Sequence, residues 1–292
     1  MQKLIQILCC GMLALLMSWL VMEKRPLSAA QLTPLQNNAI PDFPNDVTFQ
    51  LELPQGHNVV AATLTYDIQK FSCLEVRPQV PVDVEGDTLE WRWVMSRSGN
   101  PPPGTLLWWE WTLTDAAGNV TTTPRQQLTL ADERFDWQMV QAGDIRLHWY
   151  EGETVGPLLL EAAVSGLARL EQEMGITLQD EVNFYIYGSA EEMRDAVLFV
   201  QDWAGGLAFT EHNTILMGVP PSIAATWGVS TVQHELAHLV LAEFGRSCVG
   251  GSRPTWLEEG LAVYAEGEPD QRVQQDLAEG FASNEFEPVR SL

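Results

Sequence analysis

Positive charge is what this sequence has least of. Its 16 lysines and arginines face 39 aspartates and glutamates, a formal net charge of −23. Such a field repels polyanions, so a nucleic-acid partner is excluded on charge. Cysteine is nearly as scarce, at four residues. Cys9 and Cys10 fall too early in an apolar N-terminal run for a lipoprotein site. Cys73 and Cys248 fall in different expected domains and are read as unpaired. Internal repeats and low-complexity tracts are absent, and only five histidines are spread over 292 residues. What is plentiful is apolar material, 46% of the chain against 19% charged, enough for one large or two ordinary globular domains.

The N-terminus has the texture of a targeting segment. Lys3 precedes an apolar run over residues 4–22, followed by Glu-Lys-Arg-Pro and the small residues Ser28, Ala29 and Ala30. A secretory signal fits, with cleavage after Ala30. The run is also long enough to nearly span a bilayer of roughly 30 Å, so a retained anchor through residues 4–22 stays open. Either way the remainder is expected to be exported, extracellular or at the cell surface. Without residues 1–30 it carries 13 basic and 38 acidic residues.

Residues 31–45 read as a linker. From 46 to 131 no helix-period segment interrupts a series of short alternating runs: VTFQLEL, NVVAATLTYDI, FSCLEVRP, TLEWRWVM, TLLWWEWTLTD and VTTTPRQQLTL. Gly, Pro, Asn and Asp punctuate them, which is the pattern of an all-β sandwich. Seven of the eleven tryptophans lie from Trp91 to Trp149. The pairs Trp91/Trp93 and Trp109/Trp111 each share a strand face, read first as core and inter-domain packing and otherwise as an aromatic carbohydrate- or peptide-binding face.

Residues 132–292 change texture. Two strands lead into a helix over 156–174, where Leu158, Leu159, Ala162, Ala163, Leu167 and Leu170 recur near the helical period. The strand VNFYIYG follows, then a helix starting at Ser189 with Glu191 and Glu192 in its first turn. NTILMG reads as a strand at the edge of a cleft. A helix over 230–244 then begins, with Ser230 or Thr231 as its expected cap.

That last helix carries His234-Glu235-Leu-Ala-His238. Positions i and i+4 stack on one helix face, so the two imidazoles can clamp a single ion. Glu235 is angled off their line and can act on a water held by that ion. H-E-x-x-H on an apolar helix is the pattern of a zinc hydrolase, and its chance occurrence in a chain with five histidines is rare. A catalytic zinc takes three protein ligands and keeps a position for water. The third ligand is not a downstream histidine, because Leu241 and Phe244 stand where a metzincin needs Gly and His. GRSCVGGSRP can instead turn the chain back, so that a second helix from about Thr255 packs beside the histidine face and offers a first-turn glutamate.

HELAH followed by WLEEGLAVYAEG resembles the gluzincin clan of zinc peptidases, most closely the bacterial peptidase MA-like domains. The resemblance implies an α+β zincin (thermolysin-like) fold with Zn2+ held by His234, His238 and Glu259. Glu235 is then the catalytic base, and a peptide or protein is the substrate. Glu258 takes the variable position. Twenty residues separate His238 from Glu259, a longer connection than in the zinc aminopeptidases. Glu266 matches the aminopeptidase-like pattern and either orients a ligand histidine or is a solvated surface carboxylate. Tyr264 is read as packing, and His148 and His212 have no ligand-like spacing. The upstream sandwich resembles the Ig-like domain that precedes such peptidase domains. Gluzincins continue into a helical subdomain that supplies a Tyr or His to the oxyanion, and here the C-terminal part is expected to be incomplete. The aminopeptidase motif G-x-M-E-N is absent, which favours endopeptidase action. A zinc-binding but inactive domain, or an adhesion protein acting through its Ig-like module, are the competing readings.

Overall fold

The computed structural model describes residues 34–292 apart from 75, 176, 179, 246–252, 270 and 287–292. The expected signal or anchor and the turn carrying Cys248 lie outside the described residues. No helix among the described residues is long and apolar enough to cross a membrane.

Among the described residues the N-terminal part is built of strands, save for one short 3-10 turn. These are β1 (Gln36–Asp42), β2 (Asp46–Glu52), β3 (Val59–Ile68), β4 (Gln79–Val82), β5 (Thr88–Val94), β6 (Leu106–Asp115), β7 (Val120–Thr122) and β8 (Gln126–Thr129). They form two antiparallel sheets, β1-β2-β5 and β4-β3-β6-β7, with β8 also pairing with β6. Alternation dictates the core. Val47, Phe49 and Leu51 point inward from β2, while Leu107, Trp109, Trp111 and Leu113 point inward from β6, and both sets meet in one cluster. Full burial of each such side chain contributes about 1.5–3 kcal/mol.

Three expectations for this part are corrected. Residues 36–42 of the expected linker are strand β1, whose register on β2 runs from Gln36↔Glu52 to Asp42↔Asp46. The backbone pairing supplies order that a segment rich in Asn and Pro does not advertise. The described residues of FSCLEVRP form no strand; the strand starts after them, at Gln79. Cys73 is disulfide-bonded rather than unpaired, and its partner lies outside the described residues.

The second part alternates strands and helices: β9 (Gln138–Ala142), β10 (Ile145–Trp149), α1 (Val155–Met174), β11 (Val182–Tyr187), α2 (Ala190–Arg194), β12 (Gly206–Phe209), β13 (Thr214–Gly218), α3 (Val229–Gly245), α4 (Thr255–Ala265) and α5 (Gln271–Ser283). The sheet order is β12-β13-β11-β10-β9, with β10, β11 and β13 parallel and both outer strands antiparallel to their neighbours. The apolar stripe of α1, including Leu159, Ala163 and Leu170, packs one sheet face together with Val232, Leu236 and Val240 of α3. The other face presents Tyr185, Tyr187 and Leu216, which pack with Met193, Ala196, Phe135 and Trp137.

At the start of the second part Tyr187 donates to Asp132 Oδ2 at 3.0 Å, and Arg134 grips the same carboxylate at 2.6 and 2.8 Å. The join between the two parts is made by Asn100. Asn100 reaches from the two-sheet part to Ala196 and Leu198, and the Leu198 side chain packs against the two-sheet core.

Candidate metal centre and cleft

Helix α3 is held by its apolar side. Val232, Leu236, Leu239 and Val240 are buried against the sheet and α1, which leaves His234 and His238 half-buried on the flank that meets α4. The helix starts earlier than its expected cap. A π-helical turn over Ala224–Gly228 runs straight into Val229, and Ser230 Oγ donates to Trp227 O at 3.0 Å instead of capping. Thr231 is buried inside the helix.

The imidazoles of His234 and His238 lie 5.1 Å apart between ring centroids, as stacking at i and i+4 requires. Helix α4 begins after Pro254 and brings Glu259 across from them. Its carboxylate stands 3.6 Å from His234 Nε2 and 3.9 Å from His238 Nε2. One ligand atom from each of the three residues lies within 4.8 Å of the others, so the group can hold a metal ion. Two imidazole nitrogens and a carboxylate oxygen are the donor set that suits zinc.

Glu266, just past α4, is in hydrogen-bond contact with His234. Its Oε1 is 2.8 Å from His234 Nδ1. A carboxylate accepts, so this contact places a proton on Nδ1 and turns Nε2 toward Glu259 and His238. Glu258 pairs with Arg253 at 3.0 Å instead of joining the ligands.

Glu235 is buried at 7% exposure, and burial pushes its carboxyl up to about 7, with Glu259 and Glu266 adding to the rise and His234 opposing it. It sits against β12 at Gly206, where an added Cβ would strike the carboxylate. Glycine is what lets the strand approach this closely. Burial first, then His234, holds His238 below the usual imidazole range.

These residues line a cleft of about 550 Å³ whose far wall is formed by β12 and the chain before it. The expected cleft edge is thereby corrected. β13, which contains most of NTILMG, is an inner strand hydrogen-bonded on both sides, and β12 is the outer one. Phe199, Trp203 and Gly206 on this wall carry no motif; the Gly205-Gly206 doublet was the sequence signal for the close approach.

Of the other residues singled out, Tyr264 is 62% exposed rather than packed. Helix α4 buries Ala262 and Ala265, which turns position 264 outward. His148 stacks on Tyr185 at 4.5 Å, and His212 lies in a separate interdomain pocket; neither joins the metal group.

Residues 162–292, a little under half of the chain, match the model of the Peptidase MA superfamily. Together with the His-His-Glu group, the match supports a metal-dependent peptidase of that kind. No curated protein matches the chain. Among solved structures, a Br derivative of BhCBM56 is similar over 32% of this chain and 88% of its own, at 12% identity and a TM-score of 0.25. The FN5 domain of Drosophila Lar is similar over 34% of this chain and 94% of its own, at 13% identity and a TM-score of 0.23. A polysaccharide deacetylase from Bacillus cereus is similar over 54% of this chain and 52% of its own, at 10% identity and a TM-score of 0.30. Likenesses this slight do not bear on function.

Proposed function

We propose that the chain is an exported zinc metallopeptidase in which His234, His238 and Glu259 hold the ion and Glu235 is the general base. The observation that carries this reading is the convergence of the three ligand atoms within 4.8 Å, beside a buried carboxylate. Zinc, when bound, supplies a Lewis acid that lowers the pKa of a water to near 7 and polarises a carbonyl. Glu235 takes a proton from the attacking water and returns it to the departing amine, so that water is added as the peptide C–N bond breaks. Glu266 keeps the His234 ring in its ligating tautomer.

The substrate is a peptide or protein lying along β12. This strand pairs only with β13 among the described residues, so its outer backbone groups are free to accept an extended chain. The Ig-like reading of the two-sheet part, and export by an N-terminal signal or anchor, belong to the same proposal. The acidic balance of the chain argues against a nucleic-acid partner.

The test is metal content and peptide hydrolysis of the purified chain, beside Glu235→Gln. The expected result is one zinc per chain in both proteins and hydrolysis in the wild type alone. Zinc without hydrolysis in either protein would make this a zinc-binding but inactive interaction domain. Purified protein without stoichiometric zinc would overturn the metal centre itself.

A further inference from the structure

Between α2 and β12 the chain makes an excursion over residues 195–205 that divides its apolar side chains between two environments. Val197, Leu198 and Val200 pack inward, while Phe199 and Trp203 stand 75% and 83% exposed. Phe199 has a φ of 65°, in the left-handed region that a bulky residue adopts only where its surroundings impose it.

What imposes it comes from the two-sheet part. The buried amide of Asn100 donates to Ala196 O at 2.8 Å and accepts from Leu198 N at 2.8 Å, imitating a strand partner on both sides of residue 197. Leu198 itself is sunk against the two-sheet core, so the next residue must turn outward. At the other end Arg194 donates to Ala204 O at 3.3 Å, and Gly218 N donates to Gly205 O at 2.9 Å. Gly205 lies so close to the Trp227 ring that a Cβ would come within 2.9 Å of it.

The excursion is thus fixed at both ends, and Phe199 and Trp203 are held on the wall of the cleft that contains His234, Glu235 and Glu259. Charge there disfavours acidic ligands and does not select among uncharged side chains. Arg253 is paired with Glu258 at 3.0 Å, and the chain as a whole repels acidic ligands with its net charge of −23. Exposed rings next to a bond-breaking site are surface that an apolar side chain can cover.

We propose that Phe199 and Trp203 form a subsite selecting peptides with a bulky apolar or aromatic residue near the scissile bond, and that Asn100 is its positioning residue. The proposal rests on the metallopeptidase reading only for the ligand's being a peptide. It gives the two-sheet part a role in specificity.

Calorimetric binding to the zinc-loaded full chain carrying Glu235→Gln tests it, with two blocked peptides, acetyl-Ala-Ala-Phe-Ala-Ala-amide and its serine counterpart. The phenylalanine peptide is expected to bind roughly tenfold more tightly. Trp203→Ala and Phe199→Ala should each bring that ratio toward one while leaving the serine peptide's affinity and the zinc content unchanged. Asn100→Ala should do the same through the backbone of residues 196–198. Trp203, being so exposed, keeps the test valid if the Asn100 variant fails to fold.

Equal affinity for the two peptides, or a ratio untouched by the Phe199 and Trp203 variants, would overturn the subsite. An Asn100 variant that folds and weakens both peptides alike would remove its positioning role. Wild-type protein that prefers the phenylalanine peptide yet never cleaves it would uphold the subsite and sink the peptidase reading. Cleavage without preference would do the reverse.

Discussion

The β-rich part hides its rings and the α/β part displays several of its own. Trp109 and Trp111 are buried between two sheets, whereas Phe199 and Trp203 stand in solvent above a cleft. Carboxylates differ in the same way. Asp46 in the first part is buried but gripped by Arg92, while Glu235 in the second is buried among His234, Glu259 and Glu266 and carries a raised pKa. The first part obeys the ordinary rule that buried charge is paired. The second departs from it where its candidate ligands converge. Departures of this kind concentrate at sites that work rather than at sites that merely hold.

The comparison breaks most sharply at Glu235. Glu235→Gln keeps the shape of the side chain and removes its proton chemistry, so kcat should fall by about 10²–10⁴-fold with zinc retained, read by steady-state hydrolysis and metal analysis. Unchanged kcat would mean that the buried carboxylate is structural like Asp46. On the other side, Trp111→Ala empties the two-sheet core and should cost about 3–5 kcal/mol, read as a lower denaturant midpoint.

The same division explains what could be read in advance. Helix α1 and the ligand helices were legible because helical periodicity and the i, i+4 histidine spacing are local. The start of α4 after Pro254 was legible too, but the choice of Glu259 over Glu258 came from the resemblance of WLEEGLAVYAEG to the gluzincin pattern and not from the residues alone. Strand β12 was missed because Gly-Leu-Ala-Phe is too short and weak a signal to compete with Thr-Ile-Leu-Met-Gly. That stronger run has Ile, Leu and Met in succession and is buried on both faces, the mark of an inner strand rather than an edge. β1 was missed although its partner β2 is its neighbour in sequence, because Gln-Asn-Asn-Ala-Ile-Pro-Asp carries no strand pattern of its own. The Cys73 disulfide and the grip of Asn100 on residues 196 and 198 were missed because they are non-local.

A smaller effect separates the two parts by pH. In metal-free protein Glu235 titrates near 7 against an unfolded value of 4.5, so the folded state binds its proton more tightly. That stability is full below the unfolded value and is lost as pH rises through 7, a loss of about 3 kcal/mol. His238, held below 6.5, acts in the opposite sense, its stability arriving as pH rises. Denaturant midpoints of chelated wild type and Glu235→Gln at pH 5 and 8 isolate the glutamate, because His238 is common to both. A variant that remains as sensitive as the wild type to this rise in pH would place the effect elsewhere. Glu266→Gln should then weaken zinc binding by about 10–100-fold in a competition titration, since Nδ1 of His234 loses its charged acceptor.

The smallest expected effect is the most discriminating between holding and working. Trp203 is 83% exposed and follows the wall of the cleft, so Trp203→Ala should change folding stability by no more than about 0.5 kcal/mol. The same change at Trp111 removes a side chain with no exposed surface, and the two denaturant curves measured side by side quantify the contrast. A Trp203 variant as damaged as the Trp111 variant would mean that the exposed ring is part of a core. Its place on the cleft wall would then be a by-product of packing, and the difference between the two halves of the molecule would shrink to the metal ligands and Glu235.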